Sequence, residues 1–249
     1  MNLTDCNFSI NHYLDCIAKA QDNDFVIGSV SDYPYFFELE KFLILRHDVD
    51  FTLEYAVEMA RAEAEHDIRS TYYILLHSET YNPLSPKNMK IIKEIKNLGH
   101  EIGWHVDTRY LIPDEAAIIS SIAETEIESY AQHFYTLTEK PHFTGLENSM
   151  EINAKYISDS SMNWREGCLC TNLDKYDRLQ VLTHPVWWVT EKQYRWSAVA
   201  ELTNRLVLDQ LNAMDDYRDI LKKYLESGDN ERLQDPIIHT ITERNTRFR

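Results

Sequence analysis

The sequence lacks the features that direct a chain into a membrane or out of the cell. No uninterrupted apolar run in the 249 residues approaches the length that a bilayer span needs. The N-terminal stretch MNLTDCNFSINHYLDC has no basic region that leads into an apolar one, as a signal peptide would. We therefore expect a cytoplasmic protein without a membrane span.

Cysteine is also scarce. Four cysteines in a chain of this length do not form a disulfide framework, and a reducing compartment explains them as small buried residues. Cys168 and Cys170 form a Cys-x-Cys pair that is suited to zinc, but no second matching pair accompanies it. The sequence alone therefore favours a packing role for both.

Basic residues are fewer than acidic ones: the chain has 25 lysines and arginines and 41 acidic residues, which gives a formal net charge of −16. This balance argues against nucleic acid or an anionic membrane as the main partner. Six glycines and seven prolines are scattered, without a linker or a repeat. We expect one domain over 1–249, with a core at about 41–226, a helical N-terminal lead-in and a C-terminal tail.

Strand-like and helix-like segments alternate along the chain. Apolar, β-branched or aromatic runs predict strands at 41–47, 70–76, 101–105 and 179–184, with a further short strand at 142–145. Helical spacing predicts helices at 52–67, 86–99, 113–135, 151–158 and about 196–225. Such alternation implies a parallel sheet in an α/β fold, here a single (β/α) barrel.

Chemically reactive side chains occur at three predicted strand ends. In LRHDVDF, the alternation of a strand places Arg46, Asp48 and Asp50 on one face and His47 on the other. In EIGWHVD, His105 and Asp107 share a face, and the strand LQVLTH ends in His184. Carboxylates and imidazoles that converge from separate strands are what a catalytic zinc site with an open position requires.

Each of these residues also has a structural interpretation. A single histidine is more often a hydrogen-bonded structural residue than a ligand, and Asp50 is well placed to cap the following helix. The combination at three strand ends favours the functional interpretation.

These motifs resemble those of the polysaccharide deacetylases, metal-dependent carbohydrate esterases. That family has a strand ending in Asp-Asp, a second strand of the type IRSTYYIL, and a Gly-His-Glu-Ile-Gly-x-His segment. The present chain has LILRHDVD, IRSTYYIL and LGHEIGWH in this order, and LQVLTHP is similar to the final histidine motif. The resemblance implies a distorted seven-stranded deacetylase-type barrel.

The resemblance also implies roles for individual residues. Asp48 falls on the catalytic base, and His105 falls on the first metal-binding histidine. Val49 occupies the position of the metal-binding aspartate, so Asp50 is the natural substitute. The second metal-binding histidine is replaced by Arg109, and the nearest alternative ligand is Asp107. The family's Arg-Pro motif is missing.

The implied chemistry is metal-assisted amide hydrolysis. A divalent metal, expected to be Zn²⁺, would be held by His105 with Asp50 and Asp107. Asp48 would accept the proton of the attacking water, and His184 would protonate the leaving amine.

Further residues are expected to bind the substrate or to support the site. Arg46 is expected to pair with Asp48 or to contact the substrate, and His47 to orient a carboxylate. Trp104, Trp187 and Trp188 either stack on a sugar ring or pack in the core. Arg165 either helps to position His184 or forms a surface ion pair.

The function expected from these inferences is removal of an N-acetyl or N-formyl group from a small-molecule or lipid-linked sugar, in surface-polysaccharide or glycan biosynthesis. Two alternatives remain open. One is hydrolysis of a non-sugar amide or a cyclic ureide on the same barrel. The other is a non-catalytic carbohydrate-binding protein that has lost the metal. The sequence leaves the oligomeric state open.

Overall fold

The structure is a computed structural model that describes residues 6–133 and 142–226. The chain divides into two compact units, Met1–Leu202 and Thr203–Arg249. This boundary lies inside the core expected at 41–226, and the single domain stays a prediction. The predicted C-terminal tail lies outside the described residues. Within the described part of the chain, no helix has both the length and the apolar character needed to cross a bilayer.

The first unit contains a curled parallel sheet, a half-barrel with helices. Its strands are β1 (Val26–Gly28), β2 (Phe42–Val49), β3 (Thr71–Leu75), β4 (Glu101–Val106), β5 (Ser129–Gln132), β6 (Glu147–Asn148), β7 (Lys155–Ser158) and β8 (Arg178–Thr183). Seven strands follow the order β6-β5-β4-β3-β2-β8-β7, and β1 pairs with the first half of β2. The expected α/β fold, with a parallel sheet that curls as part of a barrel, is confirmed.

The helices are α1 (Ile10–Asp22), α2 (Tyr33–Phe36), α3 (Leu53–Ala64), α4 (Pro86–Asn97), α5 (Glu115–Ala123), α6 (Leu169–Asn172), α7 (Pro185–Val189) and α8 (Arg195–Glu226). Three begin at side-chain caps, where the hydroxyls of Ser9, Thr52 and Ser85 accept from backbone N–H groups in the first turn. Thr52, not Asp50, therefore caps α3, which leaves the Asp50 carboxylate available for another role.

Both faces of β2 are buried, and each face has a different environment. Val49 packs in the layer between the sheet and helices α3, α4 and α5, together with Tyr72 and Ile74 of β3. Phe42 and Ile44 pack on the other face, with Tyr73 of β3. The predicted alternation is therefore observed, and Arg46 and Asp48 continue the row that begins with Phe42 and Ile44.

A buried polar cluster joins the sheet to the helices at Glu63, which is fully buried on α3. Four side-chain atoms lie within hydrogen-bond distance of its carboxylate: Tyr13 OH at 2.5 Å, His47 Nε2 at 2.9 Å, Ser70 Oγ at 2.7 Å and Tyr72 OH at 2.7 Å. Burial alone would raise the pKa of Glu63, but the neighbouring histidines and these hydrogen bonds hold it at about 2. The carboxylate is thus ionised and fully partnered.

One predicted helix was too long, and another predicted helix and one predicted strand were wrong. The helix expected at 113–135 ends as α5 at Ala123, because Glu124 adopts a left-handed conformation with φ 55°, and strand β5 follows. The helix expected at 151–158 is instead a 3₁₀ turn followed by strand β7. Residues 142–145 form no strand, and β6 lies just after them. Residues 134–135 of the expected helix lie outside the described residues.

Candidate active site

Three potential metal ligands converge where strands β2, β4 and β5 end. Asp50 Oδ1 lies 3.3 Å from His105 Nε2 and 3.3 Å from His133 Nδ1. The two imidazole nitrogens are 3.1 Å apart. Asp50, His105 and His133 thus form a nearly equilateral triangle of ligand atoms, which we call the Asp-His-His triad.

The Asp-His-His triad fits a divalent metal ion. Tetrahedral zinc, with nitrogen and oxygen ligands at about 2.0–2.1 Å, separates its ligand atoms by about 3.3 Å. Asp50 Oδ1 is buried and has no hydrogen-bond partner among the described residues. His105 Nδ1 lies 3.0 Å from the carbonyl oxygen of Ala131. A bond to that carbonyl places the proton on Nδ1 and leaves Nε2 free as a ligand.

The charges of the Asp-His-His triad reinforce one another. Burial would raise the pKa of Asp50, yet His105, His133 and His184 hold it well below its usual range. Burial would lower the pKa of His105, yet Asp48 and Asp50 raise it. The surroundings of the three ligand atoms therefore favour positive charge, which a bound metal ion would supply.

Asp48 lies beside the triad, held by an arginine from its own strand. Arg46 Nη2 donates to both oxygens of Asp48, at 2.9 and 3.1 Å, and Arg46 Nη1 donates to Ser149 Oγ at 2.6 Å. Burial would raise the pKa of Asp48, but Arg46 and the nearby His105 hold it below its usual value. Asp48 is therefore an ionised carboxylate whose Oδ2 lies 3.7 Å from His105 Nε2.

His184 forms the opposite side of the site, with a buried acid behind it. Its Nδ1 lies 2.5 Å from Oδ1 of the fully buried Asp159. Asp159 Oδ2 accepts hydrogen bonds from the backbone N–H of His184 and from Trp188 Nε1. Burial opposes protonation of His184, but Asp159 and the carboxylates of Asp50 and Asp48 raise its pKa to about 9. Its other nitrogen, Nε2, lies 3.7 Å from Asp50 Oδ2.

One cavity of about 780 Å³ in the first unit is lined by Arg46, Asp48, Asp50, His105, His133 and His184. The volume lies in the range of small-molecule sites. The lining also includes aromatic and polar side chains: Phe51, His77, Tyr110, Gln132, Tyr156 and Trp187. The arrangement provides an ionised carboxylate, a protonated imidazole and a triad of metal-ligand type around a common space.

Several solved structures are similar to this chain. A variant of a CE4 family pseudoenzyme from Bacillus anthracis, with restored enzymatic activity, is 14% identical over 69% of this chain, at a TM-score of 0.41. The aligned part covers 64% of that protein. A peptidoglycan deacetylase, PdaC from Bacillus subtilis, is 12% identical over 75% of this chain and 98% of its own, at 0.44. A family 4 carbohydrate esterase from Bacillus anthracis is 13% identical, covers 69% of this chain and 78% of its own, at 0.41.

The similar structures are polysaccharide deacetylases and related pseudoenzymes. No family model matches the chain. Among curated proteins, an isoleucine–tRNA ligase from Mannheimia succiniciproducens is 27% identical over 121 residues. That match covers 45% of this chain and 12% of the ligase, so the chain spans a small part of that relative.

Most of the residues singled out in the deacetylase-like motifs meet in the cavity. Asp48, Asp50, His105 and His184 line it, as does Arg46, whose expected pairing with Asp48 is observed. Asp107 also lines the cavity but lies outside the Asp-His-His triad. Its carboxylate is paired with Arg109, with Nε and Nη2 of the arginine at 2.9 and 2.6 Å.

Four other predicted residues are not among those that line the cavity. His47 belongs to the Glu63 cluster. Trp104 donates to Glu115 and packs against Phe143, and Trp188 packs among other aromatic rings behind His184. Arg165 is exposed. Of the three tryptophans, Trp187 is the one that lines the cavity.

Two site residues, His133 and Asp159, were missed at the level of the sequence. His133 follows β5, and Asp159 follows β7. Both strands lie in segments that were predicted as helices, so neither residue was recognised at a strand end. Correct assignment of SYAQ and KYIS as strands would have identified both.

Proposed function

We propose that this protein is a metal-dependent hydrolase that removes an N-acyl group, acetyl or formyl, from a sugar or a sugar-containing intermediate. The observation that carries the proposal is the arrangement around one cavity. The Asp-His-His triad, the Arg46–Asp48 pair and His184 all face the same space, and Asp159 lies behind His184. Metal-assisted amide hydrolysis needs these three components together.

The Asp-His-His triad is proposed as the metal site, with His133 in place of the expected Asp107. Imidazole and carboxylate donors favour zinc, and three protein ligands leave a position open on the cavity side. When bound, the ion would polarise the acyl carbonyl and lower the pKa of water at that position.

Asp48 and His184 are proposed as the base and the acid. Asp48 is ionised and is held by Arg46, so it can accept the proton of the attacking water. His184 can donate a proton from Nε2 to the amine nitrogen as the C–N bond breaks, because Asp159 engages Nδ1. Where the surroundings shift the pKa values of two titratable groups in opposite directions, the group with the lowered pKa serves as base and the group with the raised pKa serves as acid.

A sugar substrate suits the wall of the cavity. Phe51 and Trp187 line it and contact each other edge-to-face, with ring centroids 5.8 Å apart. An aromatic side chain in the wall of a cavity can stack on a sugar ring. A cytoplasmic nucleotide-linked or lipid-linked sugar of glycan biosynthesis is the proposed substrate class.

The proposal is tested by incubating the zinc-loaded protein with N-acetylated and N-formylated nucleotide sugars and measuring released acetate or formate. Release that depends on the metal and is lost in Asp48→Asn supports it. Release only from non-sugar amides or cyclic ureides would identify the same chemistry on another substrate class. Binding of sugars without any release, unchanged by Asp48→Asn, would show a non-catalytic binding protein.

A further inference from the structure

A second group of metal-type ligands lies apart from the active-site cavity. It consists of Cys6, His12, Cys168 and Cys170, whose ligand atoms all lie within 4.8 Å of one another. Cys6 Sγ and Cys170 Sγ are 3.1 Å apart, and His12 Nε2 lies 3.3 Å from Cys168 Sγ. All but Cys6 are buried. We call this group the Cys₃His cluster.

The Cys₃His cluster provides the two further ligands that the Cys-x-Cys pair lacks in the local sequence. Cys168 and Cys170 flank Leu169, the first residue of α6, and the other half of the group comes from the N-terminal lead-in. Sequence separation of more than 150 residues hides such a site from any search for a local motif. The interpretation of the pair as packing residues alone is therefore incomplete.

The dimensions of the cluster match a tetrahedral zinc ion. With sulfur at about 2.3 Å and nitrogen at about 2.0–2.1 Å, zinc separates its ligand atoms by about 3.5–3.8 Å. Cys6 Sγ–Cys170 Sγ at 3.1 Å and His12 Nε2–Cys168 Sγ at 3.3 Å are a few tenths of an ångström shorter than these separations, and no two of the four ligand atoms are more than 4.8 Å apart. Four protein ligands also fill the coordination sphere, which is the pattern of structural rather than catalytic zinc.

The segments that carry the ligands are already held together by other contacts. Lys19 on α1 donates to the carbonyl oxygen of Cys170 at 2.8 Å and pairs with Asp174 at 2.6 Å. Phe8 lies against Trp164 and Trp188, with ring centroids at 6.4 and 5.1 Å. The ligand positions are thus set by packing on both sides, which lowers the entropic cost of binding a metal ion there.

We infer that Cys6, His12, Cys168 and Cys170 form a structural zinc site that fastens the N-terminal lead-in to the segment before β8. The inference does not depend on the proposed hydrolase activity, since none of its four ligands lines the active-site cavity. Thiolate ligands favour zinc over magnesium or calcium, so zinc is the expected ion.

The test compares two sets of variants of the full chain, purified without chelator. Elemental analysis of His105→Ala is expected to show a remaining zinc ion, about one per chain. Adding Cys168→Ser or Cys6→Ser should remove it. Cys16→Ser is the matched control, because Cys16 lies beside the cluster, 3.7 Å from His12 Nε2, but outside the four ligands. The control should retain the zinc.

A spectroscopic measurement keeps the inference testable if the cysteine variants fail to fold. X-ray absorption at the zinc edge of His105→Ala, with every cysteine intact, should show sulfur neighbours at about 2.3 Å. Zinc without sulfur neighbours, or no zinc after reconstitution, would overturn the inference. A Cys6–Cys170 disulfide found by mass spectrometry of the unreduced protein would overturn it as well. Loss of zinc from Cys16→Ser, with retention in Cys6→Ser, would refute the assigned ligands.

Discussion

Arg46 and Asp48, two residues apart on β2, form a buried ion pair in which one guanidinium nitrogen donates to both carboxylate oxygens, at 2.9 and 3.1 Å. Strand alternation places both side chains on the cavity side of the sheet. The deacetylase-type Arg-Pro motif is missing from this chain, and an arginine of the same strand holds the proposed base.

Arg46→Lys should therefore impair turnover without emptying the metal site. A lysine ammonium cannot donate to Asp48 and Ser149 at once with the planar geometry of arginine. We expect kcat/KM to fall at least about tenfold, with the zinc content unchanged. Arg69→Lys, at an exposed arginine paired with Asp32, is the control and should leave turnover unchanged. Normal turnover in Arg46→Lys would show that the pair does not position the base.

His133 and Asp107 can be separated as metal ligands by two variants. His133→Ala removes a member of the Asp-His-His triad and should weaken zinc binding at the active site by about 10-fold or more. Asp107→Asn should retain the zinc, because Asp107 is paired with Arg109. Zinc titration with a competing chelator measures both. Loss of zinc in Asp107→Asn, with retention in His133→Ala, would restore the ligand set expected from the sequence.

The sequence predicted the site wherever the local pattern was sufficient. The row Arg46, Asp48 and Asp50 follows from strand alternation, and β2, β3, β4 and β8 are apolar or β-branched enough to identify. β5 was hidden because α5 ends at Glu124 in a left-handed conformation, without the glycine that usually marks such an end. In the fold, the pairing of β5 with β4 and β6 stabilises a strand where the spacing of apolar residues predicted a helix.

Asp159→Asn should reduce turnover while metal binding persists. Asp159 contacts Nδ1 of His184 and receives two further hydrogen bonds, so it fixes the orientation of the imidazole. An amide at this position cannot stabilise the protonated ring, and we expect kcat to fall about 10²-fold or more. The imidazole titration of His184, followed by NMR, should move to lower pH. An unchanged kcat, together with an unchanged titration, would contradict the role given to Asp159.

The Glu63 cluster predicts a specific pH dependence of stability. The pKa of Glu63 is about 2 in the folded protein and about 4.3 in an unfolded chain. Its depressed pKa contributes stability that is present above about pH 4.3 and is lost as the pH falls towards 2, a contribution of about 3 kcal/mol.

Urea unfolding of the wild type and Glu63→Gln should show this contribution as a difference that shrinks from pH 6 to pH 3.5. The variant lacks the titrating carboxylate, so its own stability should vary less over this range. A difference that is constant with pH would mean that Glu63 stabilises the fold by packing alone.

Gly103 leaves room for a ring that supports the site. A Cβ at this position would lie 2.3 Å from a ring carbon of Tyr73, and Arg46 stacks over the same ring at 5.2 Å. Gly103→Ala should therefore destabilise the fold by about 1–3 kcal/mol in urea unfolding. In a Tyr73→Leu background the cost of the same substitution should be smaller. An equal loss of unfolding free energy in both backgrounds would show that the added Cβ does not clash with the Tyr73 ring.

The proposed hydrolase depends on a metal ion bound by Asp50, His105 and His133 beside Asp48. Anomalous diffraction at the zinc edge from crystals of the zinc-loaded protein would locate this ion. We expect a peak at comparable distances of about 2.0–2.1 Å from Asp50 Oδ1, His105 Nε2 and His133 Nδ1. A peak bound by Asp107 instead of His133, or no peak at the ends of β2, β4 and β5, would contradict it.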